Sequence, residues 1–394
     1  MYINARNINA NIENFYILTI SLSFIYGSIL SSIFEFPRLT IWLYVFSYLV
    51  LFCKFLINPK LNLSRDITFY SSIGLMLLPL SFFFWKTTYS INSYLGLIAA
   101  FLIFTFNIRT SFFIKILKVS TYVILLLTIY EYFVKEYLFI DEVIVNGKVI
   151  LMDEKLFGGK DQVFRAKSVF SGPLTLAQFA TGIAFVFKKN IKLLLAALMI
   201  CLLSNARLGL LIVVGIIIVK YIPFILSLKI NRKIIVWFLL IVFFIVLITP
   251  FIIDQQSIGR FLEIFNTSNK GNFKRMEYWM DGITVYLDYN LVHKIFGNNG
   301  YFRSIYNNNA ENGWITLLLE NGVLGFLYYL FPLLLISVLS IIKKTTHVLL
   351  ILLIFLSMFV QTYYMGSSTN LIYWFVIFYY YTELKANRLY EKKT

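Results

Sequence analysis

The sequence predicts an all-α fold, a polytopic transmembrane helical bundle of about twelve spans, on three observations. First, 59% of the 394 residues are hydrophobic and 14% charged, with a mean hydropathy of +0.78. That is more apolar surface than a water-soluble core of this length hides. Second, apolar runs of roughly 17 to 22 residues recur from one end to the other, matching the ~20 residues that carry a helix across a ~30 Å bilayer core. Third, many of the 40 Phe and 27 Tyr lie near the ends of those runs, where aromatic rings favour the headgroup level.

In chain order the runs are 14–33, 39–57, 67–85, 92–107, 113–134, 172–187, 191–205, 208–226, 233–253, 323–342, 347–363 and 368–382. The segment Met1–Glu13 is polar, without a strong basic region or a small-residue cleavage site, so the first run reads as an uncleaved helix. With the N-terminus cytoplasmic and the helices alternating, most short-loop lysines and arginines fall on the cytoplasmic side. Examples run from Lys54, Lys60 and Arg65 through Lys188, Lys189 and Lys192 to Lys343 and Lys344. Only Arg38, Lys86 and Arg207 occupy short loops on the other side, so the positive-inside rule predicts an N-in, C-in topology. Residues 1–394 then form a single integral membrane domain with two long outward loops, 135–171 and 254–322. The net charge of +16 sets orientation and does not point to nucleic acid. Cys53 and Cys201 fall in or beside separate runs with no metal-ligand spacing, which suits small core residues.

Long ordered loops in compact proteins are usually functional. In the second, Met276, Trp279, Met280, Ile283 and Leu287 recur at helical spacing, predicting an amphipathic helix on the outer surface. Gly297 and Gly300 in FGNNGYF predict a tight turn. In ENGWITLLLENG, Glu311 is expected to open a short helix that Gly322 breaks before the next span begins at Val323.

Ionisable groups at a membrane boundary are costly unless paired. Arg207, in LLSNARLGLLI, stands between two apolar runs. It either snorkels at a helix end or clamps a lipid phosphate, whose oxygens fit its planar fork. Arg165 beside Lys167, Arg275 beside Lys274, Arg260 and Arg303 share the outer side. Singly, each is an ordinary solvated charge; together, against the positive-inside tendency, they point to an anionic substrate. Glu311 is the first candidate for acid–base work, because a carboxylate that caps a helix stays ionised, as a general base must. Glu320 reads as structural, and Glu131, an acid inside a span, faces either a polar cleft or an interfacial partner. His293 and His347 are not placed for a metal centre, and no phosphate loop, GxSxG or HExxH is present. No metal and no cofactor are expected.

The order of these motifs carries a resemblance. An arginine followed by SVFSGPLTLA, then SNARLG between two runs, Arg275 ahead of Trp279, the GNNGYF turn and ENGWITLLLENGVLGFLYYL resemble the O-antigen polymerase and O-antigen ligase superfamily, the Wzy-type polysaccharide polymerases. The similarity covers about Arg165 to Leu330. It implies a GT-C-like architecture in the bacterial inner membrane. It also implies transfer of a glycan from undecaprenyl diphosphate to the terminal sugar hydroxyl of another carrier-linked repeat unit, on the periplasmic face. Membrane lipids and a chain-length regulator are the partners it implies. By resemblance Arg207 meets the carrier diphosphate, Arg275 is the second arginine, and Arg165 precedes FSGPLTLA, where Gly172 and Leu174 stand in place of the family's asparagines. Asn312, Arg260 and Arg303 support the site. Glu311 precedes Asn312 where the ligases of the family carry a histidine, which favours a polymerase. The rivals are an O-antigen ligase and a lipid-linked oligosaccharide flippase; a flippase implies internal repeats and a charged central cavity, and no repeat is detected.

Overall fold

The computed structural model describes residues 5–34, 39–57, 65–84, 91–105, 110–139, 142–145, 148–151, 164–170, 172–227, 270–359 and 367–391. Helices α1 (Ala5–Ile33), α2 (Leu39–Ile57), α3 (Arg65–Phe84), α4 (Ile91–Thr105) and α5 (Thr110–Val134) stand on the first five apolar runs. Next come α6 (Pro173–Val186), α7 (Ile191–Leu203) and α8 (Arg207–Ser227). The run at 233–253 and Arg260 lie outside the described residues. Then follow α9 (Lys270–Leu287), α10 (Leu291–Phe296), α11 (Tyr301–Tyr306), α12 (Gly313–Ile342), α13 (His347–Ser357) and α14 (Ser367–Glu391). Local chemistry fixes several ends. Pro173 opens α6 where its missing N–H is not needed, and Asn190 and Asn290 cap α7 and α10 with their side-chain oxygens.

The first long loop, for which the sequence reading names no element, holds two short strands. There β1 (Glu142–Val145) and β2 (Lys148–Leu151) pair antiparallel, with Glu142 opposite Leu151 and Val145 opposite Lys148. Their β-branched residues flank Asn146-Gly147 in sequence, the dipeptide that hairpin turns favour.

Among the described residues two helices, α5 and α12, are long and apolar enough to cross a bilayer, with mean hydropathies of 2.0 and 2.2 over 18-residue stretches. Along α12, Leu327, Phe331, Leu334, Val338 and Ile341 expose one continuous face, a stripe that water would penalise and lipid would not. These features fit a helical membrane protein. On the inner faces, small residues admit close crossings, as helix packing in lipid requires. A Cβ on Gly182 of α6 would run into Ile372 of α14, and one on Gly209 of α8 would meet Cys201 Sγ at 3.1 Å. Cys201 is buried, as its apolar run predicts. Buried tyrosines satisfy their hydroxyls on main-chain oxygens: Tyr48 donates to Leu95 at 2.8 Å, Tyr373 to Tyr329 at 3.0 Å and Tyr380 to Phe185 at 2.8 Å.

An ionic cluster ties the end of α6 and the start of α13 to the body of α14. Lys188 Nζ donates to Glu383 Oε2 at 2.7 Å and lies 2.6 Å from His347 Nε2, which is itself 3.1 Å from Glu383 Oε2. Burial pushes the Lys188 ammonium down from its ordinary pKa. The bonds Glu383 shares with His347 and then Lys188 hold its carboxyl well below the usual range; Glu383 lies just beyond the 368–382 run.

The other notable joint is the break inside α12. The sequence expects Gly322 to end one helix before a new span at Val323. The break is there: Gly322 takes a non-helical φ 63°, ψ −167°, with helix on either side of it. A Cβ on Gly322 would strike the Ile295 carbonyl, and one on Gly297 (φ +83°) would strike the backbone of Glu320. Asn298 N–H donates to Leu319 O at 2.8 Å. The GNNG turn and the α12 break therefore interlock backbone to backbone, and both glycines are required by space as well as by φ.

Two stability outcomes are expected. Gly322→Ala should cost at least about 1–3 kcal/mol from the φ alone, read as a lower thermal midpoint in detergent. Glu383→Gln should cost about 2 kcal/mol, a figure discounted because the Glu383 side chain is 22% exposed. The Glu383 contribution should be complete above the unfolded carboxylate pKa of ~4.3 and drain away as pH falls through the depressed folded value, so the wild-type and variant midpoints converge in acid.

Candidate functional site

The C-terminal end of α5 is organised by a buried acid. Glu131, in the last turn of α5, is fully buried. Its Oε2 accepts from the Lys167 N–H at 2.9 Å and the Ser168 N–H at 2.6 Å, and its Oε1 accepts from Leu138 N–H at 3.2 Å. Ser168 takes a left-handed φ of 51°, which turns two successive amides toward one oxygen. Glu131 thus serves main-chain amides as its partner and anchors the 164–170 segment to the end of α5.

That segment crosses the turn between α7 and α8. Ala166 N–H donates to Leu203 O at 3.2 Å, and Arg165 Nε donates to Ser204 O at 3.2 Å. Tyr137 O–H holds the Arg165 carbonyl at 3.0 Å, and Lys167 Nζ lies 5.1 Å from the Tyr137 ring centre. The turn itself is tight: Ser204 and Asn205 are buried, Asn205 has φ 50°, and Ala206 N–H returns to Cys201 O at 3.1 Å. Arg207 was expected in this turn, between two helices. It is instead the first residue of α8, half-buried. A guanidinium at the positive end of a helix dipole, with a second arginine bound to the same turn, concentrates positive potential suited to an anion. The structure therefore brings Arg165 to the turn that positions Arg207.

The second cluster forms where α9 lies against the start of α12. Gly282 makes this approach possible, since a Cβ there would come within 2.7 Å of Ile315 Cγ2 and 3.3 Å of Ala310 Cβ. Arg275 lies two turns earlier on the same face of α9. Its Nε donates to Glu311 Oε2 at 2.8 Å, while Asn308 Nδ2 donates to Glu311 Oε1 at 3.0 Å. Both side chains of the ion pair remain partly exposed, at 42% for Arg275 and 34% for Glu311.

The expectation that Glu311 opens and caps the helix is corrected. Asn312 is the cap, its Oδ1 accepting from Trp314 N–H at 3.0 Å and Ile315 N–H at 3.1 Å. The buried Asn312 is held further by Thr316 Oγ1 on its carbonyl, and the first turn of α12 is tied to α13 by Gly313 N–H donating to Met358 O. Glu311 takes a left-handed φ of 51° just before the cap, which leaves its carboxylate available to Arg275. A short amide side chain reaches N2 and N3 amides readily, so the asparagine wins the cap and the acid stays outside it.

The remaining candidates separate. Arg303 is exposed on α11, and Arg260 lies outside the described residues. Glu320 accepts from Asn299 Nδ2 at 3.4 Å beside the interlocked glycines. Sequence reasoning missed three participants: the anchoring role of Glu131, the Ser204 carbonyl and Asn308. Nothing in the Asn-rich stretch distinguishes Asn308 from Asn307 or Asn309.

Replacing Glu131 by Gln should set an amide N–H₂ against main-chain N–H donors and cost about 1–3 kcal/mol locally. Hydrogen exchange at Lys167 and Ser168 should accelerate by roughly tenfold or more, with the amides of α12 unchanged. Gly282→Leu should separate α9 from α12 and abolish the Arg275–Glu311 pair without altering a charge, which cysteine cross-linking between positions 275 and 311 would report. No family model matches this chain, and no curated protein matches it.

Proposed function

We propose that this chain is a polysaccharide polymerase of the bacterial inner membrane, a glycosyltransferase using a polyprenyl-diphosphate-linked donor. In this reading it has about twelve spans, both termini inside, and an extracytoplasmic active face. The donor glycan on undecaprenyl diphosphate passes to the terminal sugar hydroxyl of another carrier-linked repeat unit, as in O-antigen synthesis. Membrane lipids surround the site, and a chain-length regulator is the expected protein partner.

The observation that carries this reading is the Arg275–Glu311 pair, which joins a candidate diphosphate ligand to a candidate base at 2.8 Å. In the reaction the acceptor oxygen bonds to the anomeric carbon as Glu311 takes its proton. The bond from that carbon to the diphosphate oxygen breaks, and its electron pair leaves with the diphosphate. One displacement inverts the anomeric centre. The charge that builds on the leaving group is held by Arg165, Arg207 and Arg275, in the role a metal ion fills in other transferases. Arg275 couples the two halves: diphosphate draws its guanidinium away from Glu311, and the released carboxylate becomes the base. The base is armed only when donor is bound.

In a polymerase deletion strain, Glu311→Gln should lower polymerisation by about 10²–10⁴-fold, and Arg207→Ala or Arg275→Ala by about 10²–10³-fold, each read as loss of the surface-polysaccharide ladder. Full ladders from all three variants would sink the assignment. Polymerisation by purified protein should survive EDTA; loss restored by Mg²⁺ would remove the arginine clamp from the mechanism.

A further inference from the structure

Helix α9 has three faces rather than two. One packs on the start of α12 through Gly282 and carries Arg275. A second is polar and exposed, with Lys274, Glu277, Thr284 and Asp288. Between them lies a third, formed by Phe273, Met276, Met280, Ile283 and Leu287, which are 44–65% exposed. Positions spaced three and four apart place all five on one arc of roughly 80°. A helix standing clear of the bilayer would have no reason to keep a face of this kind.

We infer that this apolar arc is seated at the headgroup boundary of one lipid leaflet, so that the bilayer surface is the partner of α9 and sets the height at which Arg275 meets Glu311. Continuity favours lipid over a protein occupant. The arc runs on into α10, where Leu291, Val292 and Ile295 are exposed. Ile295 abuts Gly322 in the break of α12. Beyond that break begins the exposed stripe of a helix long enough to cross a bilayer, opening with Val323 and Leu327. Exposed apolar side chains therefore recur from the crossing helix through one side of α10 to α9, with Asp288 and Asn290 at the joint between α9 and α10. Charge suits the same occupant: Lys274 is exposed near the start of α9 and Lys294 lies in α10, cations that anionic headgroups attract, while Glu277 and Asp288 lie on the polar face away from the arc. The seat does not depend on what the chain catalyses.

The test uses the full chain with Cys53→Ser and Cys201→Ala, reconstituted in nanodiscs of phosphatidylethanolamine and phosphatidylglycerol. Single cysteines replace Met276, Met280 or Leu287 on the apolar arc, and Glu277, Thr284 or Asp288 on the polar face, each bearing an environment-sensitive fluorophore. Labels on the arc should be quenched more by a nitroxide high on the lipid chain than by one near its end. They should also be shielded several-fold from aqueous iodide, with the opposite pattern on the polar face. Arc labels open to iodide would overturn the inference. Arc labels shielded from both iodide and lipid nitroxide would overturn it equally, by showing that protein covers the face, whether another segment of this chain, a second copy or a different partner.

Discussion

The architecture around Arg165 and Arg207 depends on one buried carboxylate. Burying a charge costs several kcal/mol unless hydrogen bonds replace its hydration. Glu131 recovers that loss with three main-chain donors, two from consecutive amides. The bond pattern cannot be kept if the 164–170 segment moves, so a stretch without regular secondary structure becomes a fixed arm on the end of α5. Arg165 is placed by that arm, and through the Ser204 carbonyl the arm also braces the turn from which α8 and Arg207 begin. A similar device works at the far end of α6, where Glu383 binds Lys188 and lies against His347. In each case one acid fixes elements that apolar packing alone would leave free to slide, because dispersion between smooth aliphatic faces has little directional preference.

Glycine fixes the second cluster by a different route. Gly282 lets α9 approach α12, and Gly297 and Gly322 let two backbones touch where side chains would hold them apart. The break in α12 is therefore held by contact with the GNNG turn rather than being an isolated weakness. Asn312 then starts α12 as its cap, and its neighbour Glu311 is oriented by default toward Arg275. Neither cluster is built from a single motif; each needs residues more than thirty positions apart brought together by packing.

How much of this was legible follows from the range of the forces. The apolar runs specify helices locally, and the described helices other than α9, α10 and α11 stand on them. Helix spacing likewise announced α9 from Met276 to Leu287, though Trp279 packs partly inward while the other four face out. The hairpin at 142–151 was signalled by Asn146-Gly147 between β-branched residues, but a reading tuned to twenty-residue runs passes over four-residue strands. Arg165, Arg207, Arg275 and Glu311 stood out because charge beside apolar sequence is conspicuous. Their pairing was not legible, since Arg275 and Glu311 are 36 positions apart and the approach depends on the missing side chain of Gly282. The cap was misassigned because Glu311 and Asn312 are adjacent and both suit a helix start; the shorter reach of the amide decides, and that is a matter of geometry.

Magnitudes separate a structural from a chemical role for the Arg275–Glu311 pair. A half-exposed ion pair contributes about 0–1 kcal/mol to stability. Holding it here requires left-handed backbone at Glu311, which costs about 1–2 kcal/mol for a residue with a Cβ. It also requires a glycine within α9, where alanine would be the better helix former by about 1 kcal/mol. The local cost exceeds the local gain. Strain that a pair does not recover in stability is the kind retained where geometry itself is used. A carboxylate held at 2.8 Å from a guanidinium, with its other oxygen on a neutral amide, is positioned to exchange that guanidinium for an anionic ligand and to accept a proton once it has done so. In the proposed mechanism the strain at Glu311 is the means by which a base is kept masked until its arginine moves to the diphosphate.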